Sequence, residues 1–448
     1  MNNTELLQAF QSASKNLFLT PLLSQSDVDA FGVEYGADVL DELEGWAEDC
    51  VNGSNKLIFT GHRGCGKSTL LAEFSRRLAD RYFTVFFSIS DLIEMSDVNH
   101  VNILFAIAVQ MMEAAEEQNI KIKSSTKRAF YRWFGKHTQT ETTTLEADLE
   151  AGYQAGGGFN IASIFKFFAE LKAKLKVDAT IRNEIKTEFV RQISGLIARI
   201  DEIAAVIQEA SGKPILVIID DLDKLDLELV ESIYCNNIKP LFQPQFRIVY
   251  TIPIAANREL KVRNVISAET NDIKLMRVSK FFTKGTSHQS DPDVLEEPVR
   301  IFLEILRRRI PDVLIEPEIA RNIVLCSGGV LREVIRLTHR CCSKCLVQIR
   351  RELRKEADQQ AVLTLKIDES ILSQALTDTQ IEFAEPLGQV DYELLAGVYE
   401  QFKPQDAEDQ RFLDLLHGLY ILEYRNAALW YDLHPIVVML LKQQELLS

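Results

Sequence analysis

Lys56-Leu57-Ile58-Phe59-Thr60 is followed by Gly61-His62-Arg63-Gly64-Cys65-Gly66-Lys67-Ser68 and then by Thr69-Leu70-Leu71-Ala72-Glu73-Phe74. The middle eight residues match G-x-x-x-x-G-K-[ST] in full. The apolar run before them reads as a short buried strand and the run after them as a helix, the context in which such a loop cradles phosphate. The three glycines permit backbone angles and close approaches that a Cβ hinders. Loop N–H groups and the start of the helix then face phosphate oxygens. The candidate nucleotide-binding residues are therefore Gly61, His62, Arg63, Gly64, Cys65, Gly66, Lys67, Ser68 and Thr69. Lys67 is expected to reach the β- and γ-phosphates of ATP, and Ser68 to place its hydroxyl on Mg²⁺.

Working outward, Phe83–Ser90 reads as a second buried strand and Val101–Gln118 as a helix. Residues 120–175 are less regular, with turn signals at Thr138–Thr144 and Gly156-Gly157-Gly158. Ala179–Ala210 reads as one long helix, because Ile185, Phe189, Ile193, Leu196, Ile197, Ile200, Ile203 and Ile207 follow helical spacing. Gly212-Lys213-Pro214 ends it. Ile215–Ile219 is wholly apolar, as parallel strands covered on both faces are. Phe246–Ile252 and Ile273–Val278 are further strands. Strands alternating with helices predict an α/β domain.

The Ile215–Ile219 strand runs into Asp220-Asp221-Leu222-Asp223-Lys224. A carboxylate at the end of a parallel strand near a phosphate loop completes the Mg²⁺ shell, so Asp220 and Ser68 are the metal candidates. Asp221 is expected to orient the attacking water, and Asp223 to make a salt bridge or sense a partner. Thr251, at the end of the next strand, can contact the γ-phosphate or the water, although threonine is also common in strands for its shape alone. Ser327-Gly328-Gly329-Val330-Leu331-Arg332 begins a later helix, from which Arg332 projects as a phosphate-sensing arginine. The catalytic set is thus Lys67, Asp220, Asp221, Thr251 and Arg332.

Beyond residue 299 the pattern is mainly helical. The expected organisation is an N-terminal adapter segment (1–30), a parallel-sheet core (31–298) with a helical insertion at about 98–210, a helical lid (299–360) and a C-terminal module (361–448). Within the core, residues 31–36 precede an amphipathic helix at Ala37–Val51. In the module, helix, strand, a turn at Asn426-Ala427-Ala428, strand and final helix make a winged-helix-like pattern. Its basic residues, Lys403, Arg411, Arg425 and Lys442, are few for gripping phosphates, which favours protein contacts over DNA.

The combination of G-x-x-x-x-G-K-S, I-L-V-I-I-D-D-L-D-K, a polar strand end and G-G-x-x-R resembles the AAA+/STAND branch of P-loop NTPases over residues 31–345. The resemblance implies an ATP- and Mg²⁺-dependent switch that controls assembly with itself or with an effector protein. Asp221 stands where AAA+ enzymes usually have glutamate, which implies slow hydrolysis. The wider architecture loosely resembles bacterial antiphage ATPases. The alternatives are a DNA-binding ATPase similar to origin-recognition proteins and a scaffold that holds nucleotide without turning it over. Arg258, Arg307, Arg308 and Arg309 are arginine-finger candidates.

A net charge of −15 argues against a protein that coats nucleic acid. No apolar run reaches the ~18 residues of a membrane span, and the N-terminus lacks the order of a signal peptide. Seven cysteines in 448 residues make no disulfide framework. A cytoplasmic location is the expectation. His339, Cys341, Cys342 and Cys345 mimic a zinc motif, but they lie within a continuous helical pattern and read as structural. Cys65 is a point of vulnerability to oxidation in the loop.

Overall fold

The computed structural model describes residues 2–49, 55–142, 145, 161–289, 292–355, 364–426 and 428–447. Val51, Gly156–Gly158 and Ala427, which carry expected helix or turn positions, lie outside these. The chain divides into two compact units. One comprises residues 39–60 and 71–274. The other comprises residues 1–38, 61–70 and 275–448.

The first unit holds a five-stranded sheet. Its strands are β1 (Lys56–Gly61), β2 (Phe83–Ser88), β3 (Ile215–Asp220), β4 (Arg247–Pro253) and β5 (Ile273–Met276), in spatial order β2-β3-β4-β1-β5. β2 and β4 both pair with β3 in parallel, with Ser88 opposite Asp220 and Ile219 opposite Tyr250. β1 and β3 are buried along their whole length, which is why both read as unbroken apolar runs. The loop after β1 and the acidic turn after β3 each leave the carboxyl end of an inner strand, where open α/β sheets place ligands.

The insertion is more regular than expected. Helices Ser124–Thr138 and Ile161–Val177 occupy much of residues 120–175. They pack with His100–Glu117, a helix buried nearly all round, through an aromatic cluster in which Phe105 meets Trp133 at 5.3 Å and Phe134 at 5.9 Å. The single helix expected over 179–210 is two, Ala179–Arg191 and Ile193–Ser211. They meet at Gln192, whose φ of −132° and ψ of 40° leave the helical region. The apolar spacing persists across the break, so periodicity alone conceals it.

The second unit has its own core. Leu6, Phe10, Ala13 and Leu17, from and just beyond the helix Asn3–Asn16, are buried among Phe302, Leu306, Leu337 and Cys341. The N-terminal segment is therefore an integral part of this core. Around it lie helices Glu296–Arg307, Pro317–Cys326, Leu331–Leu353 and Glu369–Ala384. Cys341, Cys342 and Cys345 are fully buried on Leu331–Leu353 and belong to that core. Burial pushes the Cys341 and Cys345 thiols up to about 12, so they are inert packing groups. The C-terminal module continues with helices Gln389–Gln401 and Gln410–His417, the antiparallel hairpin β6 (Ile421–Asn426) and β7 (Ala428–Leu433), and helix Pro435–Gln443. From Gln410–His417 on, these elements follow one another in the order helix, strand, strand, helix. No helix among the described residues is long and apolar enough to cross a membrane.

Candidate functional site: a phosphate loop and an acidic turn

The loop from Gly61 to Gly66 leads into the helix Lys67–Leu78, so its last N–H groups sit at a helix start, where the dipole favours an anion. Gly64 has φ +79°, a left-handed backbone that suits glycine. A Cβ on Gly64 would also lie 2.6 Å from the Cβ of Arg332. Lys67 is buried, and its Nζ donates to the carbonyls of Gly61 at 2.9 Å and His62 at 2.8 Å. The lysine thus lies folded over the loop that it serves. Thr69 accepts a hydrogen bond from the Leu22 N–H at 3.1 Å. These features fit a polyphosphate: a left-handed glycine, a helix start and an ammonium group converge on one short segment.

Within the same unit, the loop is held by later parts of the chain. The Arg332 N–H donates to the Gly64 carbonyl at 2.9 Å. A Cβ on Gly66 would lie 3.6 Å from both Tyr35 and Leu331. The Glu423 N–H of β6 donates to His62 Nε2 at 2.8 Å, in a buried setting. Two glycines place Arg332. Gly329 has φ +83°, and a Cβ there would overlap the carbonyl oxygen of Ser279. Gly328 is closed in by Leu422 and Pro435, and its carbonyl accepts from the Tyr424 hydroxyl at 2.8 Å. The motif at 327–332 is therefore a joint between the loop, the helical lid and the hairpin.

In the other unit, Asp220, Asp221 and Asp223 are buried, with one carboxylate oxygen of each within 4.8 Å of the others. The cluster is chemically suited to Mg²⁺, a hard cation that takes oxygen ligands. Asp221 adopts φ +68°, a left-handed conformation that aspartate tolerates better than most residues. Its Oδ2 accepts from Ser88 Oγ at 2.7 Å and Ser90 Oγ at 2.9 Å, and its Oδ1 pairs with Lys224 Nζ at 2.6 Å. Burial alone would raise its pKa. Lys224 and the two hydroxyls outweigh burial and hold the carboxyl below the ordinary aspartate range. Asp221 is thus an oriented, ionised carboxylate.

Thr251 is fully buried at the end of β4. Its hydroxyl donates to the Ile219 carbonyl at 3.1 Å and accepts from the Leu222 N–H at 3.0 Å. Its role here is to brace the turn that carries Asp221, since its hydroxyl is committed to the main chain. Arg309, a finger candidate, is 5% exposed, stacks over Phe31 at 5.2 Å and donates to the Ile305 carbonyl. That places it inside the fold of its own chain. Arg307 and Arg308 remain exposed. Sequence reasoning missed Ser88, Ser90 and the Glu423 N–H. Ser88-Ile89-Ser90 ended an expected strand. A main-chain donor carries no residue-type signal at all.

The sheet order, the loop and the acidic turn define a P-loop NTPase fold. Residues 53–249 match the model of the KAP family P-loop domain, a span that contains both the loop and the acidic turn. No curated protein matches the chain. Among solved structures, it is similar to a Walker-type ATPase of Pyrococcus abyssi, at TM-score 0.41 and 12% identity over 95% of this chain and 99% of that one. It is also similar to Cdc6p of Pyrobaculum aerophilum, at TM-score 0.38 and 11% identity over 97% and 98%. A third is the Aeropyrum pernix ORC1 protein in complex with DNA, at TM-score 0.35 and 10% identity over 96% of each chain.

Proposed function

We propose that the chain is an ATP-dependent switch whose nucleotide state is read by the helical lid and the C-terminal hairpin. One observation carries this reading. The phosphate loop is bonded directly to both readers, at the Gly64 carbonyl through the Arg332 N–H and at the His62 ring through the Glu423 N–H. A loop that only holds nucleotide for structural reasons needs no such link to an element some 360 residues further along the chain.

In this reading Lys67 and Ser68 engage the phosphates and Mg²⁺, and Asp220 contributes to the metal shell. Mg²⁺ supplies charge neutralisation on the β- and γ-phosphates. Asp221, held ionised, orients a water for attack on the γ-phosphorus, and the ADP oxygen leaves with the electron pair of the broken bond. Arg332 carries the consequence into the lid. Discrete closure of packed elements converts a small change at the loop into a change of interface. The output is assembly with a second copy or with an effector protein. Two of the four basic side chains of the C-terminal module support this, because Arg411 pairs with Asp391 and Arg425 with the buried Glu423.

The test is particle mass by mass photometry together with phosphate release, for the wild type, Lys67→Ala and Asp221→Asn, without nucleotide, with ADP and with ATP–Mg²⁺. The expected result is an ATP-dependent rise in mass in the wild type and in Asp221→Asn, lost in Lys67→Ala, with phosphate release reduced about 100-fold or more in Asp221→Asn. Unchanged mass in every state would remove self-assembly as the output. Unchanged phosphate release in Lys67→Ala would remove the ATPase reading. Duplex binding that falls steeply with salt would favour the DNA-binding alternative.

A further inference from the structure

The second unit contains a pocket of about 310 Å³, bounded by the segment Lys280–His288, the end of helix Pro317–Cys326, the hairpin β6–β7 and helix Pro435–Gln443. Its size is at the small end of the ~300–1,000 Å³ typical of small-molecule sites. Tyr399, Tyr424 and Trp430 line it with aromatic surface, and Val438 and Met439 with aliphatic surface. Tyr424 and Trp430 stack on each other at 4.7 Å, and His288 stacks on Tyr399 at 3.6 Å, so these walls are fixed by one another.

The polar groups of the pocket divide in a telling way. Asp432 is saturated: it accepts from Ser287 Oγ at 2.9 Å, His288 Nε2 at 3.0 Å and the Leu433 N–H at 2.8 Å. Lys280 and Lys442 also line the pocket, and no carboxylate partner is seen for either among the described residues. Burial holds the Lys280 ammonium below the ordinary lysine range. Lys280 is half-buried and Lys442 is exposed at the pocket, so both ammonium groups are open to an anion there.

We infer that this pocket binds a small organic anion with a flat apolar body, such as an aromatic carboxylate, sulfonate or phosphate ester. The aromatic walls take the body by stacking and by exclusion of water. Lys280 and Lys442 take the anionic group, because the Asp432 carboxylate is engaged by Ser287, His288 and the Leu433 N–H and not by either lysine. The inference does not rest on the nucleotide reading, because none of these residues belongs to the phosphate loop or the acidic turn.

The probe is 1-anilinonaphthalene-8-sulfonate, read by its fluorescence in the full-length chain, with the uncharged N-phenyl-1-naphthylamine as its partner. The expected result is saturable binding of the sulfonate at one site per chain. In the double variant Lys280→Gln/Lys442→Gln, its dissociation constant rises about tenfold while that of the neutral amine stays within about twofold. Leu325→Trp, which fills the pocket, removes both. Lys67→Ala leaves both unchanged, which separates this site from the nucleotide site. Equal sulfonate affinity in the wild type and the double lysine variant would overturn the inference, as would binding lost in Lys67→Ala or many weak sites per chain. Far-UV circular dichroism establishes that each variant is folded, and the lysine variant keeps the test decisive if Leu325→Trp does not fold.

Discussion

The phosphate loop and the acidic turn are held in place by different parts of the chain's chemistry. The loop is held chiefly through the main chain, by the Arg332 N–H on the Gly64 carbonyl, and by the Glu423 N–H on the His62 ring. The acidic turn is held by side chains, with Ser88, Ser90 and Lys224 on Asp221 and Thr251 bridging Ile219 to Leu222. Main-chain donors survive almost any substitution, so the loop is vulnerable where a Cβ intrudes and at the His62 ring that accepts the Glu423 N–H. Side-chain braces can be deleted one at a time, so the turn is open to graded damage. This contrast ranks the expected effects of mutation.

Gly329→Val breaks the main-chain arrangement most severely. It places a β-branched residue at φ +83° and drives its Cβ into the Ser279 carbonyl. The expected cost is about 3–5 kcal/mol, in the range reached when backbone strain and overpacking combine. Thermal melting followed by circular dichroism reads it, and a loss under 1 kcal/mol would show that the joint at 327–332 tolerates strain and is not the fixed link described above.

Thr251→Val is next. It preserves shape and removes the hydroxyl, leaving the buried Leu222 N–H without its acceptor. The expected loss is about 1–3 kcal/mol. Phosphate release should fall in the same variant as Asp221 loses its fixed direction. Full stability with slowed turnover would instead return Thr251 to direct work on the γ-phosphate. Either result sharpens the contrast, because the Thr251 brace on the acidic turn is a single side-chain hydroxyl.

The third test concerns His434, which is fully buried and caps the final helix by accepting the Ile436 N–H at Nδ1, 3.3 Å away. Burial, with a further push from Arg336, lowers its pKa to about 3. An unfolded histidine titrates near ~6.5, so between about pH 6.5 and 3 the unfolded state binds the extra proton. Stability should be full above pH 6.5 and fall as pH drops through that window. His434→Asn, which keeps a capping acceptor but cannot titrate, should flatten the slope of melting temperature against pH over pH 4–6.5. An unaltered slope would assign the acid sensitivity to other groups.

The smallest structural effect is expected from Arg332→Ala. The N–H on Gly64 remains, so the melting temperature should move by less than about 0.5 kcal/mol equivalent. Phosphate release, or the change of mass with ATP, should nonetheless be altered if the guanidinium carries the signal. A large loss of stability would show that the loop depends on the side chain after all, and would erase the contrast with the acidic turn.

Much of the nucleotide site was legible in residue order because its chemistry is local. The spacing of Gly61, Gly64, Gly66, Lys67 and Ser68 encodes a strand, a left-handed loop and a helix start within a dozen positions. The apolar run into Asp220 and Asp221 encodes a covered parallel strand with carboxylates at its end. The helix break at Gln192 was not legible, since the apolar face continues through it and Gly195, three residues on, lies inside the second helix. The helices at 124–138 and 161–177 were obscured by turn-forming residues around them. Thr251 could be placed at its strand end from sequence, but nothing in its type says whether a hydroxyl faces a ligand or a neighbouring strand.

Residue order thus sufficed to determine an α/β P-loop NTPase core with a helical C-terminal half, because covered strands, amphipathic helices and glycine-dependent loops each carry a short-range pattern. Only the folded chain could decide what grips the loop. Those contacts join residues hundreds of positions apart, and the donor in each is a main-chain N–H that carries no residue-type signal. The pairing of Asp221 with Ser88 and Ser90, and the two lysines on an aromatic pocket, likewise exist only once distant segments have packed.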